Sequence, residues 1–320
     1  MYRIGIDLGG TNIAAGLVNE KYEIVAKCSV PTMAAERTQE EIVKAMGDLC
    51  FTLCEQAGVQ MAEIDAIGVA SPGIADHDNG VLVYTNNLPF RHLPICAMLA
   101  EQTGVKSVHV ENDANAAAWG EAVAGAARGT KNSVMITLGT GVGGGVIIDG
   151  KVMSGFNYAG GELGHIVIEK DGVPCSCGRR GCWESYSSAT ALIRMTNEKI
   201  EECHKTGRKT YMDELVATKG KVSGRTAFDA MRAGDEAGRE VVDTFISYLA
   251  AGITNIVNVF QPEVLSIGGG VSNEKNYLLD PMIPIVRKEQ YGGDLVGLTK
   301  ICIAELGNDA GIIGAAFLGI

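Results

Sequence analysis

The sequence predicts an α/β protein of two lobes, each a mixed sheet with helices, with a cleft between them. Three observations carry this. At 320 residues the chain exceeds the length at which one hydrophobic core usually stops growing. A unit of strand, glycine turn and strand occurs twice at a constant offset: Met135-Ile136-Thr137-Leu138-Gly139-Thr140-Gly141 aligns with Gly5-Ile6-Asp7-Leu8-Gly9-Gly10-Thr11, and Ile148-Asp149-Gly150-Lys151 with Val18-Asn19-Glu20-Lys21. Such a repeat marks a duplicated domain, the alternative being chance likeness between glycine-rich hairpins. Helix-period segments also alternate with short apolar runs along the chain.

Tyr2 to Asp7 alternates like a strand, Gly9 and Gly10 turn, Asn12 to Val18 returns, and Tyr22 to Val30 continues the meander. A helix from about Gln39 to Ala57 sets Ile42, Val43, Met46, Leu49 and Leu53 on one face and leads to a strand over Ala66 to Ala70. Ser71-Pro72-Gly73 opens a polar loop, followed by a helix near Ile95 to Thr103 and a strand from Ser107 to Val110. Late in the chain, Asp235 to Phe260 reads as a helix with Val242, Phe245, Leu249, Ile253, Ile256 and Phe260 on its core side and Pro262 past its end. Asp243, Ser247, Thr254, Asn255 and Asn258 interrupt its apolar face, so it reads as a buried helix and not a membrane span. A strand over Val264 to Ile267 runs into Gly268-Gly269-Gly270, and Gly307-Asn308-Asp309-Ala310 caps a final apolar helix.

A net charge of -11 argues against a nucleic-acid partner. Cys28, Cys50, Cys54, Cys96, Cys203 and Cys302 sit singly or at helical spacing in apolar surroundings, as buried free thiols do. With the first strand pattern starting at Tyr2, no room is left for a leader, and a cytoplasmic protein is expected.

Gly139-Thr140-Gly141-Val142-Gly143-Gly144 satisfies the dinucleotide fingerprint, yet Val146-Ile147-Ile148 before Asp149-Gly150 spells a strand and hairpin where that fold needs a helix. Two hairpin turns remain, able to offer backbone N–H groups to phosphate, with Thr11 and Thr140 adding hydroxyls. Asp7, just before the first turn, is placed to orient a hydrated magnesium ion. The third glycine turn, Gly268 to Gly270, would let an adenine ring lie against bare backbone. Each turn alone also reads as a plain hairpin.

In Val108-His109-Val110-Glu111-Asn112-Asp113-Ala114 a strand meets an alanine-rich helix. Asp113 reads either as that helix's N-cap or as a positioned carboxylate; Asn112 beside it could do the capping and free Asp113 to take a proton from a sugar hydroxyl.

His165, Cys175, Cys177 and Cys182 would fill a closed tetrahedral zinc shell, making the metal structural; half of a nucleic-acid ribbon is the competing idea. If one nitrogen of His165 binds zinc, the other carries a proton and can donate to a hydroxyl, with Glu162 and Glu184 as acceptors. Each glutamate, taken singly, is more often a solvated surface residue.

These motifs resemble the ROK family of repressors and sugar kinases within the actin-like ATPase (ribonuclease H-like) superfamily, and its bacterial glucokinases most of all. The likeness covers Asp7 to Thr11, Glu111 to Glu121, Leu138 to Gly145 and the segment Cys175-Ser176-Cys177-Gly178-Arg179-Arg180-Gly181-Cys182-Trp183-Glu184. It implies a small lobe, 1–112 with a C-terminal helix over 307–320, and a larger one, 113–306, closing over sugar and ATP. The implied reaction is phosphorylation of a hexose, glucose first, at its 6-hydroxyl, using ATP with Mg2+ and structural Zn2+.

Carried over by motif, Asp113 is the general base; Asn112, Asp113, Glu162, His165 and Glu184 hold the sugar, with Gly73 and Asn87 as further contacts. Asp7, Gly9, Gly10, Thr11, Asn12, Thr140 and Gly141 take the phosphate side, and Gly269 and Gly270 the adenosine side. The zinc ligands are His165, Cys175, Cys177 and Cys182. A homodimer or homotetramer is implied, with no nucleic acid and no membrane. N-acetylmannosamine, allose or fructose as substrate, or a sugar-sensing regulator, are the competing readings. The segment Asn197 to Lys221 matches no motif.

Overall fold

The computed structural model describes residues 1–85 and 88–320. The chain divides into two compact units: 1–135 with 145–161 and 304–320, and 136–144 with 162–303. The lobe boundary expected at 112/113 falls inside the first of these.

The first unit opens on an antiparallel meander of β1 (Tyr2–Leu8), β2 (Asn12–Asn19) and β3 (Ile24–Pro31). Helix α1 (Gln39–Ala57) then crosses over to β4 (Ile64–Ser71), parallel to β1. Thr38 starts α1 with a capping box closed by Glu41, and Gly58 stops it at φ 67. Ile42, Val43, Met46, Leu49 and Leu53 are buried under Ile4, Ile6, Ile13 and Leu17 of the sheet. Each such side chain contributes about 1.5–3 kcal/mol on burial, so tertiary packing and not propensity holds the crossover.

The loop expected after Gly73 instead folds into a small antiparallel sheet of β5 (Ile74–Asp76), β6 (Val81–Tyr84) and β7 (Arg91–Leu93). Helix α2 (Ile95–Thr103) leads to β8 (Val108–Asn112), parallel to β4, and β8 runs directly into α3 (Asp113–Val123).

Next come β9 (Ser133–Leu138), β10 (Val142–Ile148) and β11 (Lys151–Val152), then the helices α4 (Glu184–Ser187), α5 (Ala189–Thr206), α6 (Tyr211–Lys219), α7 (Thr226–Arg232) and α8 (Glu236–Phe260). Helices α5 and α6 thus occupy most of the segment that carried no motif. Strand β12 (Val264–Gly268), helix α9 (Asn276–Glu289), strand β13 (Lys300–Ile303) and helix α10 (Ala310–Ala316) complete the chain. By length and composition α8 could cross a membrane, but its Val242, Phe245, Leu249, Ile253 and Ile256 are buried in the second unit, while Phe260 is only half-buried.

The two five-stranded sheets have the same order, β3-β2-β1-β4-β8 and β11-β10-β9-β12-β13. In each, the hairpin strands stack outward on one side of the first strand and the later strands on the other, which is the duplication at the level of topology.

Helix α10 lies with its backbone directly on the first sheet. A Cβ at Gly5 would stand 1.8 Å from the Ile312 carbonyl oxygen, and one at Gly68 1.8 Å from that of Ala315. The same helix meets α3 equally closely, since a Cβ at Gly314 would lie 1.7 Å from the Ala116 carbonyl oxygen. Small residues let three backbone layers touch.

Candidate active site

In the first unit, Asp7 on β1 pairs with Ala14 and Ala70 of the flanking strands. Burial, and after it the negative charge of Asp113, pushes its carboxyl up to about 6, with Lys27 opposing. The turn beyond it is closed by the Gly9 N–H donating to the Asn12 carbonyl at 2.9 Å. From β3's end, Thr32 braces that turn: its hydroxyl donates to the Gly9 carbonyl at 2.6 Å and its N–H to that of Thr11 at 2.8 Å. Gly10, Thr11 and Asn12 are left exposed at the tip.

Asn112, and not Asp113, caps α3. Its Oδ1 accepts from the N–H groups of Ala114 at 2.9 Å and Asn115 at 3.3 Å, while its amide donates to the Gly73 carbonyl at 3.0 Å. Gly73 must be glycine there, at φ 95 with a hypothetical Cβ only 2.1 Å from the Tyr84 carbonyl oxygen. Asp113 is the first helical residue; its Oδ1 accepts from the Ala114 N–H at 2.8 Å. Burial raises its pKa from the ordinary carboxylate value, outweighing the hydrogen bonds of the helix start. Asn87, expected as a sugar contact, lies outside the described residues.

The second unit gathers the remaining candidates. Its turn Gly139-Thr140-Gly141 is docked on the start of α5: the Ala189 N–H donates to the Gly139 carbonyl at 2.8 Å, and the Thr190 hydroxyl to the Thr140 carbonyl at 2.7 Å. Gly269, at φ 81, rests on the end of β9, where a Cβ would come within 2.6 Å of Leu138 N and O. Two of the three glycine turns are therefore neighbours, because Leu138 immediately precedes Gly139. The Gly269 carbonyl accepts from the Ser272 hydroxyl at 2.7 Å, and that of Gly270 from the Asn273 amide at 3.0 Å.

Glu184, opening α4, points its Oε2 at this turn, accepting from the Val142 N–H at 3.0 Å. Its Oε1 lies 3.4 Å from the Ser176 hydroxyl and 3.8 Å from Cys175 Sγ. A cavity of about 440 Å³ is lined by Thr140, Gly141, Ser176, Glu184, Ser188 and Arg194, among others. Glu162 is exposed, three residues ahead of His165.

The ligand atoms of His165, Cys175, Cys177 and Cys182 all lie within 4.8 Å of one another. Cys177 Sγ and Cys182 Sγ are 3.7 Å apart, and Cys175 Sγ is 3.6 Å from His165 Nδ1. Tetrahedral zinc at about 2.3 Å from sulfur requires edges of about 3.6–3.8 Å, which these two distances meet, and the donor set fits that ion in charge and softness. Trp183 anchors the loop: its indole N–H donates to the Tyr248 carbonyl at 3.1 Å, and its ring fills the notch that Gly252 leaves in α8.

Several participants escape a reading of side-chain types. The Val142 donor is a backbone group, and Thr32 is remote in sequence from the turn that it braces. Glu111 and His77, hydrogen-bonded beside α3's start, left one usable signal, a carboxylate at the end of an apolar strand.

Two sheets of one strand order, each with a hairpin glycine turn, define the α/β actin-like ATPase fold. The chain belongs to the ROK family, whose profile it matches over residues 3–320. It is 36% identical over 314 residues to the glucokinase of Thermotoga maritima, spanning 98% of this chain and 95% of the other. A ROK family glucokinase from Streptomyces griseus, solved in complex with glucose and AMPPNP, is 34% identical and superposes with a TM-score of 0.79 over 99% of both chains. The ROK hexokinase of Thermus thermophilus, 33% identical, gives 0.80 over 99% of this chain and 97% of that one.

Proposed function

We propose that this protein transfers the γ-phosphoryl group of ATP to the 6-hydroxyl of a hexose, with glucose as the preferred sugar. The observation that carries this reading is Asp113: a carboxylate of raised proton affinity that leads α3 while its neighbour does the capping. A sugar hydroxyl has a pKa far above neutral, so its attack on phosphorus needs a positioned acceptor for its proton, and burial tunes a carboxylate toward that task. The names of the glucokinase and hexokinase relatives support glucose as the sugar.

Asn112, Glu162, His165 and Glu184 are assigned to the sugar hydroxyls, with Gly73 and Asn87 as further contacts. Gly9, Gly10, Thr11 and Asn12 of one hairpin, and Thr140 and Gly141 of the other, are assigned to the phosphates, and Gly269 and Gly270 to adenosine. Asp7 orients the magnesium, which when bound neutralises charge on the transferring phosphoryl group. Zinc on His165, Cys175, Cys177 and Cys182 is structural, since four protein ligands leave no open position. The lobe division at 112/113 is retained as a functional one, the assembly as a homodimer or homotetramer, and the cytoplasm as the location.

The test is ADP release by the purified protein with MgATP and a panel of glucose, N-acetylmannosamine, allose and fructose, the product located by phosphorus NMR. Highest kcat/KM on glucose, with phosphate on O6, is expected. Absence of turnover on every sugar would overturn the reading.

A further inference from the structure

Glu111, the residue before Asn112 on β8, is 4% exposed. Its Oε1 accepts from the Asn112 N–H at 2.8 Å and the Asn115 amide at 3.1 Å, and its Oε2 lies 3.0 Å from His77 Nδ1. Three N–H groups converge on one buried side chain, and only a carboxylate accepts on both oxygens. Two of the donors flank Asp113 in sequence: Asn112 caps α3, and Asn115 lies two residues on. The third stands on the turn after β5.

We propose that Glu111, gripped by His77, is a positioning residue that fixes the strand-to-helix junction from which Asp113 is presented. This rests on the assignment of Asp113 as proton acceptor. Misplacing a reacting group by an ångström is costly in rate, so a junction held only by helix capping would be loose for that role.

His77 is faced by Glu111 from β8, by Asp76 and Asp78 of its own turn, and by the ring of Tyr158, centroids 4.9 Å apart and edge-on at 74°. The Tyr158 hydroxyl donates to Asp78 at 2.7 Å, which closes the network. The hydrogen bond to Glu111 leads in raising the His77 pKa, against burial, which lowers it. The imidazolium therefore persists to higher pH than usual. Its charge-assisted bond to Glu111 weakens only as pH rises through that raised pKa.

The test is glucose phosphorylation against pH by wild type, Glu111→Gln, His77→Ala and His77→Asn. Glutamine leaves one oxygen for three donors, so E111Q is expected to lower kcat at least about tenfold with KM for MgATP within about twofold. H77A should lose kcat likewise. Asparagine places an amide nitrogen where Nδ1 stood, so H77N should recover most of that loss and lack the alkaline decline in kcat expected of wild type. His77 is only partly buried, so its variants report even if E111Q fails to fold. Unchanged kcat in a folded E111Q, or H77A and H77N behaving alike, would overturn the proposal. Should D113N retain turnover, the functional reading itself fails; should D113N be dead while H77A is fully active, this inference alone does.

Discussion

The carboxylate of Glu184 accepts a hydrogen bond from the backbone N–H of Val142 at 3.0 Å, tying a sugar-side candidate to the first strand residue after a glycine turn. The same side chain lies against Cys175 of the metal cluster. Gly141 makes room for it, since a Cβ there would stand 2.2 Å from Glu184 Oε2.

Gly141→Ala should therefore swing Glu184 away and break the bond to Val142. Losing a hydrogen bond to a charged group costs about 1.5–3 kcal/mol, which is about 13- to 160-fold in kcat/KM for glucose. Steady-state kinetics would show it; an unchanged value would mean that Glu184 plays no part in holding the sugar.

Stability and function oppose each other at Asp7. Its pKa is 3.8 in the unfolded chain and about 6 in the folded one. Between those values the native state holds a proton that the unfolded state has released, so stability falls as pH rises through this window, and the penalty is complete above about 6. Asp7→Asn removes a cost of up to about 3 kcal/mol. We expect a higher Tm than wild type at pH 7.5, a difference that vanishes below pH 4, and loss of magnesium-dependent turnover. Calorimetry at both pH values checks the sign.

Metal analysis should find one zinc per chain. Stripping it with a strong chelator, or replacing Cys177 by Ser, frees the loop that carries His165 and precedes Glu184. KM for glucose should then rise by about 10–100-fold, with Tm lowered and KM for ATP changed far less. Equal changes in both KM values would point to general unfolding.

Gly269 is at φ 81 with the β9 backbone against it. A side chain there meets both strain and a clash, about 1–3 kcal/mol for the backbone alone. Gly269→Ala should raise KM for ATP about tenfold while KM for glucose stays put, as initial-rate kinetics with each substrate varied would reveal.

Legibility followed the range of the interactions. Helices α1 and α2 and the end of α8 were readable, their bounds closely, because apolar spacing and stops are local in sequence. The duplicated hairpins were readable because their glycine turns recur at one offset, and the metal cluster because three of its four donors lie within eight residues. The sheet of β5, β6 and β7 was not, since Ile74–Asp76 and Arg91–Leu93 are too short to show a period. Packing of α3 on α10 was equally hidden, as it depends on glycines nearly 200 residues apart, Gly120 and Gly314. The choice of Asn112 over Asp113 as cap could not be made from residue type, because both cap well; geometry decided it.

The central claim is that Asp113 accepts the proton of the sugar hydroxyl, and Asp113→Asn tests it most directly when turnover and binding are measured together. The account predicts that kcat for glucose falls by about 10²–10⁴-fold while calorimetric affinity for glucose stays within a few-fold. A variant that binds glucose and still turns it over at near wild-type rate would contradict it.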